Sequence, residues 1–179
     1  AISGARVWPA PASGGEPVLV FDQVGRVSRA VRRELLAALA EQNAVWVWPS
    51  AEGRGWLARR HSGLPASWQF LPEGLDLPAI LRQVSAAYTV DADEGWLALL
   101  TGCCLHVYGA AHYAGWGLTQ DHGLAASVER DALSLPQLFD CVYRGRAHYR
   151  DPSVDGEASL ETVLAALEFQ QQVRRRFAD

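Results

Sequence analysis

The sequence contains no lysine and no methionine, so all 16 of its basic residues are arginine. Without Met, Ala1 is not an unprocessed initiator, and the chain is expected to be a processed product or a piece of something longer. Cysteine is scarce. Cys103, Cys104 and Cys141 are odd in number and two are adjacent, which excludes a disulfide framework; their apolar neighbours suit a reducing compartment. No apolar run is long enough to cross a bilayer, so no transmembrane segment is expected. The opening residues lack a basic stretch followed by an apolar core, and a secretory signal is not expected there. The expected setting is the cytoplasm, free or peripheral at the inner membrane. Nor is there a basic excess. The net charge is -4, and Arg174, Arg175 and Arg176 end a helix where cations suit the dipole, so no nucleic-acid partner is expected.

What is present is a globular composition: 179 residues, 49% hydrophobic, enough for one domain with a sizeable core. Residues 1–16 are rich in Gly, Pro, Ser and Ala and read as a linker or loose arm; residues 17–179 read as one domain. Strand-like and helix-like segments then alternate. Strands are predicted at Val18–Phe21, Ala44–Trp48, Ser67–Leu71, Ala87–Val90 and Leu105–Tyr108. Helices are predicted at Ser28–Gln42, Gly55–Arg60, Leu77–Ser85 and Glu94–Gly102, with closing helices at Leu135–Arg144 and Leu160–Phe177. In the first helix Val31, Leu35, Leu36 and Leu39 share one face, and Arg29, Arg32 and Arg33 lie mostly on the other. This alternation implies an α/β fold of three layers, α/β/α, around a parallel sheet of about five strands. No internal repeat is visible. An unrelated nucleotide-binding domain is disfavoured, because no Gly-rich phosphate loop follows the first strand.

Ligands of such sheets bind beyond the carboxyl ends of the strands. Asp22 stands there, where a carboxylate can act as nucleophile or base, or can simply cap the loop into the first helix. The run from His112 to Thr119 follows the fifth strand. Its glycines allow tight turns beside Tyr113 and Trp116, either around a ligand or as a rigid aromatic turn. His106, His112 and His122 match no zinc spacing, and neither a metal nor a cofactor is expected. His61 and His148 read as surface or capping residues. Tyr143, Arg144, Arg146, Tyr149 and Arg150 gather cations and aromatics that could meet a sugar carboxylate, or form a solvated face paired with Asp151 and Asp155.

The wording of the run from Tyr113 to Thr119, after a strand ending in Tyr108-Gly109, resembles the bacterial capsule polysaccharide biosynthesis family. Ala87–Val90 with Gly95–Leu100, Ser134–Phe139, His148–Pro152 and Val18–Gln23 resemble further segments of it in order. That family includes capsular β-Kdo transferases, which transfer Kdo from CMP-Kdo. The resemblance implies the C-terminal Rossmann-like half of a GT-B glycosyltransferase, with a nucleotide sugar and a glycan or glycolipid acceptor as partners. It also implies a second half, or other capsule assembly proteins, facing the cleft. It carries the catalytic role to Asp22 and donor binding to Gln23, Ser50, Asp91, Gly95, Tyr113, Gly115 and Trp116.

The chain departs from the family pattern at both phosphate positions. The family has a Lys and a His-Pro pair at the second strand end, where this chain has Trp46 and Trp48-Pro49. Trp46 and Trp48 read as packing residues, leaving Ser50 to donate one hydrogen bond and Arg54 to supply charge. Family hydroxyls open a helix towards phosphate; here Asp91, Asp93 and Glu94 occupy that end, and Leu97 replaces a family Glu. Two like charges ~4 Å apart cost roughly 4 kcal/mol at an effective dielectric near 20, so these acids oppose a phosphate. Two readings stand: a donor-binding half of a transferase, or a non-catalytic module that keeps the fold and serves as an interaction or sugar-binding domain.

Overall fold

A computed structural model describes residues 16–50, 53–145, 147–151 and 156–176; the side chains of residues 60–62, 151 and 175 fall outside the description, as do residues 1–15, where the linker was expected. The chain divides into two compact units, Ala1–Leu133 and Ser134–Asp179.

The first unit is built on β1 (Val18–Phe21), β2 (Val45–Trp48), β3 (Trp68–Phe70), β4 (Ala86–Thr89), β5 (Leu105–Val107) and β6 (Gln120–Asp121). They form one sheet in the order β3-β2-β1-β4-β5-β6, and every pairing is parallel. All four residues of β1 and of β4 are buried, as expected where helices cover both faces. Val18 and Val20 face the same core as Val45, Val47 and Tyr88, while the residues between them, Leu19 and Trp46, are fully buried against the other face.

The helix α1 (Arg29–Ala40) starts where Ser28 accepts a hydrogen bond from the Val31 amide at 3.2 Å. Its Val31, Leu35 and Leu39 enter the core. Full burial is worth about 1.5–3 kcal/mol per leucine, so packing rather than propensity holds α1 in place. The short helices α2 (Leu77–Leu81) and α3 (Gly95–Leu100) touch each other, and α3 packs on β4 and β5. Cross-connections of this kind place the reversal of strand order between β1 and β4, which is where open α/β sheets bind ligands.

The sheet has six strands rather than about five. The missed strand, β6, is two residues long and polar, below any periodic signal. The helix expected at Gly55–Arg60 is a tighter 3-10 segment at Ala58–Gly63. The helix expected to run to Ser85 stops at Leu81, because the Ser85 amide is needed by the Pro17 carbonyl at the entry to β4.

The second unit opens with α4 (Leu135–Phe139), capped by Ser134 and Gln137, and passes into a wider π-helical turn at Asp140–Gly145 rather than continuing as one helix. An antiparallel pair, β7 (Tyr149–Asp151) and β8 (Gly156–Ala158), precedes the long α5 (Leu160–Arg176). The sequence around Tyr149 read as a cationic cluster, and its alternation is too short to signal a strand. Among the described residues no helix is long and apolar enough to cross a membrane.

Candidate functional site

The carboxyl ends of β1, β2 and β4 border a cleft of about 240 Å³ lined by Asp22, Gln23, Val24, Ser50, Asp91, Ala92, Asp93 and Glu94. A second hollow of about 290 Å³ runs on from it between Trp48-Pro49 and Pro72–Gly74, and Ser50 and Glu94 line both. Of the residues expected to carry chemistry, the fold therefore brings together Asp22, Gln23, Ser50 and Asp91.

Asp22 is 3% exposed, and both of its oxygens are engaged. Oδ1 accepts from the Leu57 amide at 2.8 Å and Oδ2 from the Ala58 amide at 3.0 Å, so the carboxylate caps the 3-10 segment. Gly55 packs so tightly on it that an added Cβ would lie 2.0 Å from the carboxyl carbon. The first helix is capped by Ser28, so the alternative role expected for Asp22 moves from α1 to the loop after β2. Gln23 bridges the switch point: its Oε1 accepts from the Asp91 amide at 3.0 Å, and its Nε2 donates to Asp91 Oδ1.

The wall beyond Asp91 is a tight turn. Thr89, fully buried, accepts from the Ala92 amide at 2.9 Å. Asp93 and Glu94 follow at the mouth of α3, which has no side-chain cap. Among the described residues lining the cleft none is cationic, and Arg54 is not among them. Ser50 is 6% exposed, and its hydroxyl has no hydrogen-bond partner among the described residues. Trp46 is fully buried in the sheet, and Trp48 is half-buried on the wall of the second hollow.

Gly95, Tyr113, Gly115 and Trp116 do not line the cleft. Tyr113 is fully buried and lies against Gly95, where an added Cβ would sit 2.3 Å from the phenol oxygen. Its hydroxyl donates to the Ala92 carbonyl at 2.6 Å. Burial pushes that hydroxyl's pKa up, and Asp91, Asp93 and Glu94 add to the shift. Tyr113 thus braces the Asp91–Glu94 turn from behind.

The rest of the loop closes on itself. Gly115, at φ 81°, donates its amide to Asp121 Oδ2 at 2.9 Å, and Thr119 donates to Oδ1 at 2.6 Å. Arg130 lies over the Trp116 ring, 4.7 Å from its centroid, and donates to the carbonyls of His112 and Ala114, each at 2.7 Å. Trp116 Nε1 donates to the His112 carbonyl at 2.9 Å. Sequence reasoning missed Asp121 and Arg130. Asp121 had a signal in its spacing from Thr119; Arg130 stands in irregular chain and had none.

His112 is exposed at the mouth of the loop. His106 and His122 are joined through Nδ1 and Nε2 at 2.9 Å, and their rings stack between Tyr88 and Tyr108. Burial and then His122 lower the pKa of His106, while burial, Tyr88 and Glu34 push the Tyr108 hydroxyl up to about 12. Among the described residues no group of three or more ligand side chains could hold a metal. In the second unit Arg144 pairs with Asp140 at 3.7 Å and Glu161 at 2.9 Å; Asp155, Arg146 and the side chains of Asp151 and His61, on which the expected pairing falls, lie outside the described residues. His148 is exposed.

A family model described as capsule polysaccharide biosynthesis protein matches residues 59–149, about half of the chain. The capsule polysaccharide modification protein LipA of Neisseria meningitidis is 31% identical over 99 residues, covering 52% of this chain and 14% of its own length. The lipopolysaccharide-processing protein LpsZ of Rhizobium meliloti is 31% identical over 105 residues, covering 58% and 24%. This chain therefore spans a quarter or less of the curated relatives it matches. Among solved structures, the β-Kdo 2,4 transferase of Thermosulfurimonas dismutans KpsC matches at a TM-score of 0.74 and 26% identity, over 90% of this chain and 54% of that one. The β-Kdo 2,7 transferase of the same KpsC matches at 0.74 and 18%, over 93% and 58%, a likeness of fold.

Proposed function

The chain belongs to the capsule polysaccharide biosynthesis family, and on that premise we propose that it is the sugar-handling half of a GT-B-type glycosyltransferase of capsular or surface polysaccharide. The observation that carries this reading is the place of the cleft. It sits at the strand-order reversal of a sheet whose outline matches about half of a Kdo transferase. A nucleotide-activated sugar, CMP-Kdo or a relative of it, would be the donor, and a glycan or glycolipid the acceptor. The acceptor hydroxyl attacks the anomeric carbon, the bond from that carbon to the phosphate oxygen breaks, and the hydroxyl proton passes to a carboxylate at the cleft. Asp22 is the residue proposed for that step, released from one of its two amide bonds as substrate arrives. The facing half of the cleft would come from further sequence or from another chain, in the cytoplasm or at the inner-membrane surface.

The test uses the full-length protein with membranes as acceptor and a mixture of labelled nucleotide sugars. Loss of incorporation by about 100-fold or more in Asp22→Asn, with the variant still fully folded at the assay temperature, supports the transfer reading. Full activity in that variant overturns the role of Asp22. A second reading is favoured by the engaged carboxylate of Asp22 and the acidic wall: a module that binds sugar in a polysaccharide assembly without transferring it. That reading expects no incorporation by the unmodified protein together with retained glycan binding.

A further inference from the structure

We infer that α1 carries a second ligand site, apart from the cleft: the hollow formed by Arg29, Arg32, Arg33 and Leu36 holds the phosphate group of a soluble or lipid-borne phosphate ester. The inference does not rest on the sugar reading of the cleft, whose lining shares no residue with this hollow.

The spacing of the four residues, i, i+3, i+4 and i+7, sets them on one face of α1, while Val31, Leu35 and Leu39 enter the core. The hollow measures about 400 Å³, and no acid lines it. Glu34, the one acid of α1, lies instead beside Gly123. Among the described residues no carboxylate pairs with any of the three arginines, whereas Arg144 in the second unit has Asp140 and Glu161. The three also stand in the first turns of α1, where the dipole is positive and no acid offsets it. Cations so placed repel one another and the helix end. A bound anion removes that conflict, and local rules are broken where function asks for it.

Arg32 gives the hollow a fixed wall. Its guanidinium lies over the Trp56 ring, 5.6 Å from the centroid. Trp56 is itself buried, and its amide donates to the Gln23 carbonyl at 3.1 Å. A guanidinium held in this way is oriented before a ligand arrives and loses less freedom on binding. One guanidinium fork fills the two oxygens of a carboxylate. Three guanidinia in one hollow suit a tetrahedral phosphate, whose further oxygens take the remaining donors. The volume leaves room for the group that the phosphate esterifies. No aromatic ring lines the hollow, so it offers no platform on which a base would stack.

The test uses the full-length protein, its Arg29→Gln, Arg33→Gln double variant and Arg32→Lys. Inorganic phosphate and malonate are titrated by calorimetry at matched ionic strength. Vesicles of phosphatidylglycerol in phosphatidylcholine are compared with phosphatidylcholine alone by sedimentation. The expected result is phosphate binding, or retention on the phosphatidylglycerol vesicles, weakened about 10-fold or more in the double variant. Arg32→Lys keeps the charge and loses the fork, and should weaken either about 3- to 10-fold. Phosphate bound in solution marks a soluble ester as the source; vesicle retention without it marks a lipid headgroup. Arg29 and Arg33 are exposed, so the double variant should fold as the parent does, and urea unfolding checks this. Binding of neither probe, binding that ignores both variants, or malonate bound as tightly as phosphate would each overturn the inference. None of these outcomes touches the transfer reading, which Asp22→Asn tests by sugar incorporation.

Discussion

The cleft beside β1 and β4 and the loop from His112 to Asp121 lie on one rim of one sheet, and they differ in how their polar groups are used. In the loop, the Gly115 amide, the Thr119 hydroxyl, the Trp116 indole and the Arg130 guanidinium have partners within the loop, and the Tyr113 hydroxyl is spent on the Ala92 carbonyl behind the cleft wall. In the cleft, Asp93 and Glu94 line open space, and the buried Ser50 hydroxyl has no hydrogen-bond partner among the described residues. Closed networks rigidify; open groups await something. The loop carries the sequence pattern most like the family, yet its chemistry is internal. The cleft departs from the family pattern, and its chemistry is available.

If that contrast is right, loop substitutions lower stability and cleft substitutions alter binding. Tyr113→Ala is the largest test. It empties a fully buried aromatic site and removes the brace on Ala92, and should cost about 3–5 kcal/mol in urea unfolding. Tyr113→Phe, which removes only the hydroxyl, should cost about 1 kcal/mol. A near-neutral Tyr113→Ala would break the contrast at once. Gly115→Ala comes next, at about 1–3 kcal/mol, since its φ of 81° disfavours a side chain and the new Cβ would lie 2.6 Å from the Val128 carbonyl oxygen. Thermal unfolding of the variant checks it.

Asp22 crosses the boundary, a cleft residue bonded like a loop residue. Asp22→Ala leaves the Leu57 and Ala58 amides without their acceptor and should cost about 1–3 kcal/mol. Asp22→Asn keeps one acceptor oxygen and should cost less. Equal costs for the two, read by urea titration, would show that the caps contribute little and that Asp22 belongs with the open groups.

The sheet was legible because its strands announce themselves: Val18–Phe21 and Val45–Trp48 are continuous apolar runs bounded by turns, as buried parallel strands are. β6 was not, because it is only two residues long and both, Gln120 and Asp121, are polar. At the site, the residues just after a strand were the legible ones. Asp22, Gln23, Ser50 and Asp91 follow from strand ends, and strand order then brings them together. Tyr113, Gly115 and Trp116, named from their pattern, lie apart from the cleft lining. An aromatic next to glycine has the same spelling whether it faces a ligand or fills the space above Gly95, and only tertiary packing separates the two.

A smaller effect should come from β5, beyond both regions. The pKa of His106 is lowered by burial and by His122. A base whose folded pKa lies below its unfolded value of about 6.5 stabilises the fold fully above that pH and less as pH falls towards the folded pKa. Tyr88, Cys104 and His122 contact it, Tyr108 stacks on the far side of His122, and Glu34 of α1 lies beside Gly123. Unfolding free energy should therefore decline below pH 6.5, by at most about 1.4 kcal/mol per pH unit for this one proton, more steeply than in His106→Gln. Parallel pH profiles for the two proteins would show that His106 titrates alike folded and unfolded.

The smallest expected change in stability is the sharpest for the contrast. Asp93→Asn with Glu94→Gln replaces two acids of the cleft lining, at a helix start that has no side-chain cap bond. Stability should stay within about 0.5 kcal/mol of the parent, because surface changes away from caps, cavities and buried pairs rarely cost more. Loss of like-charge crowding beside Asp91 acts in the stabilising direction. A double variant that unfolds much more readily would mean that these acids hold the turn before α3. The open groups of the cleft would then be structural like those of the loop, and their negative charge would no longer be free to select a ligand.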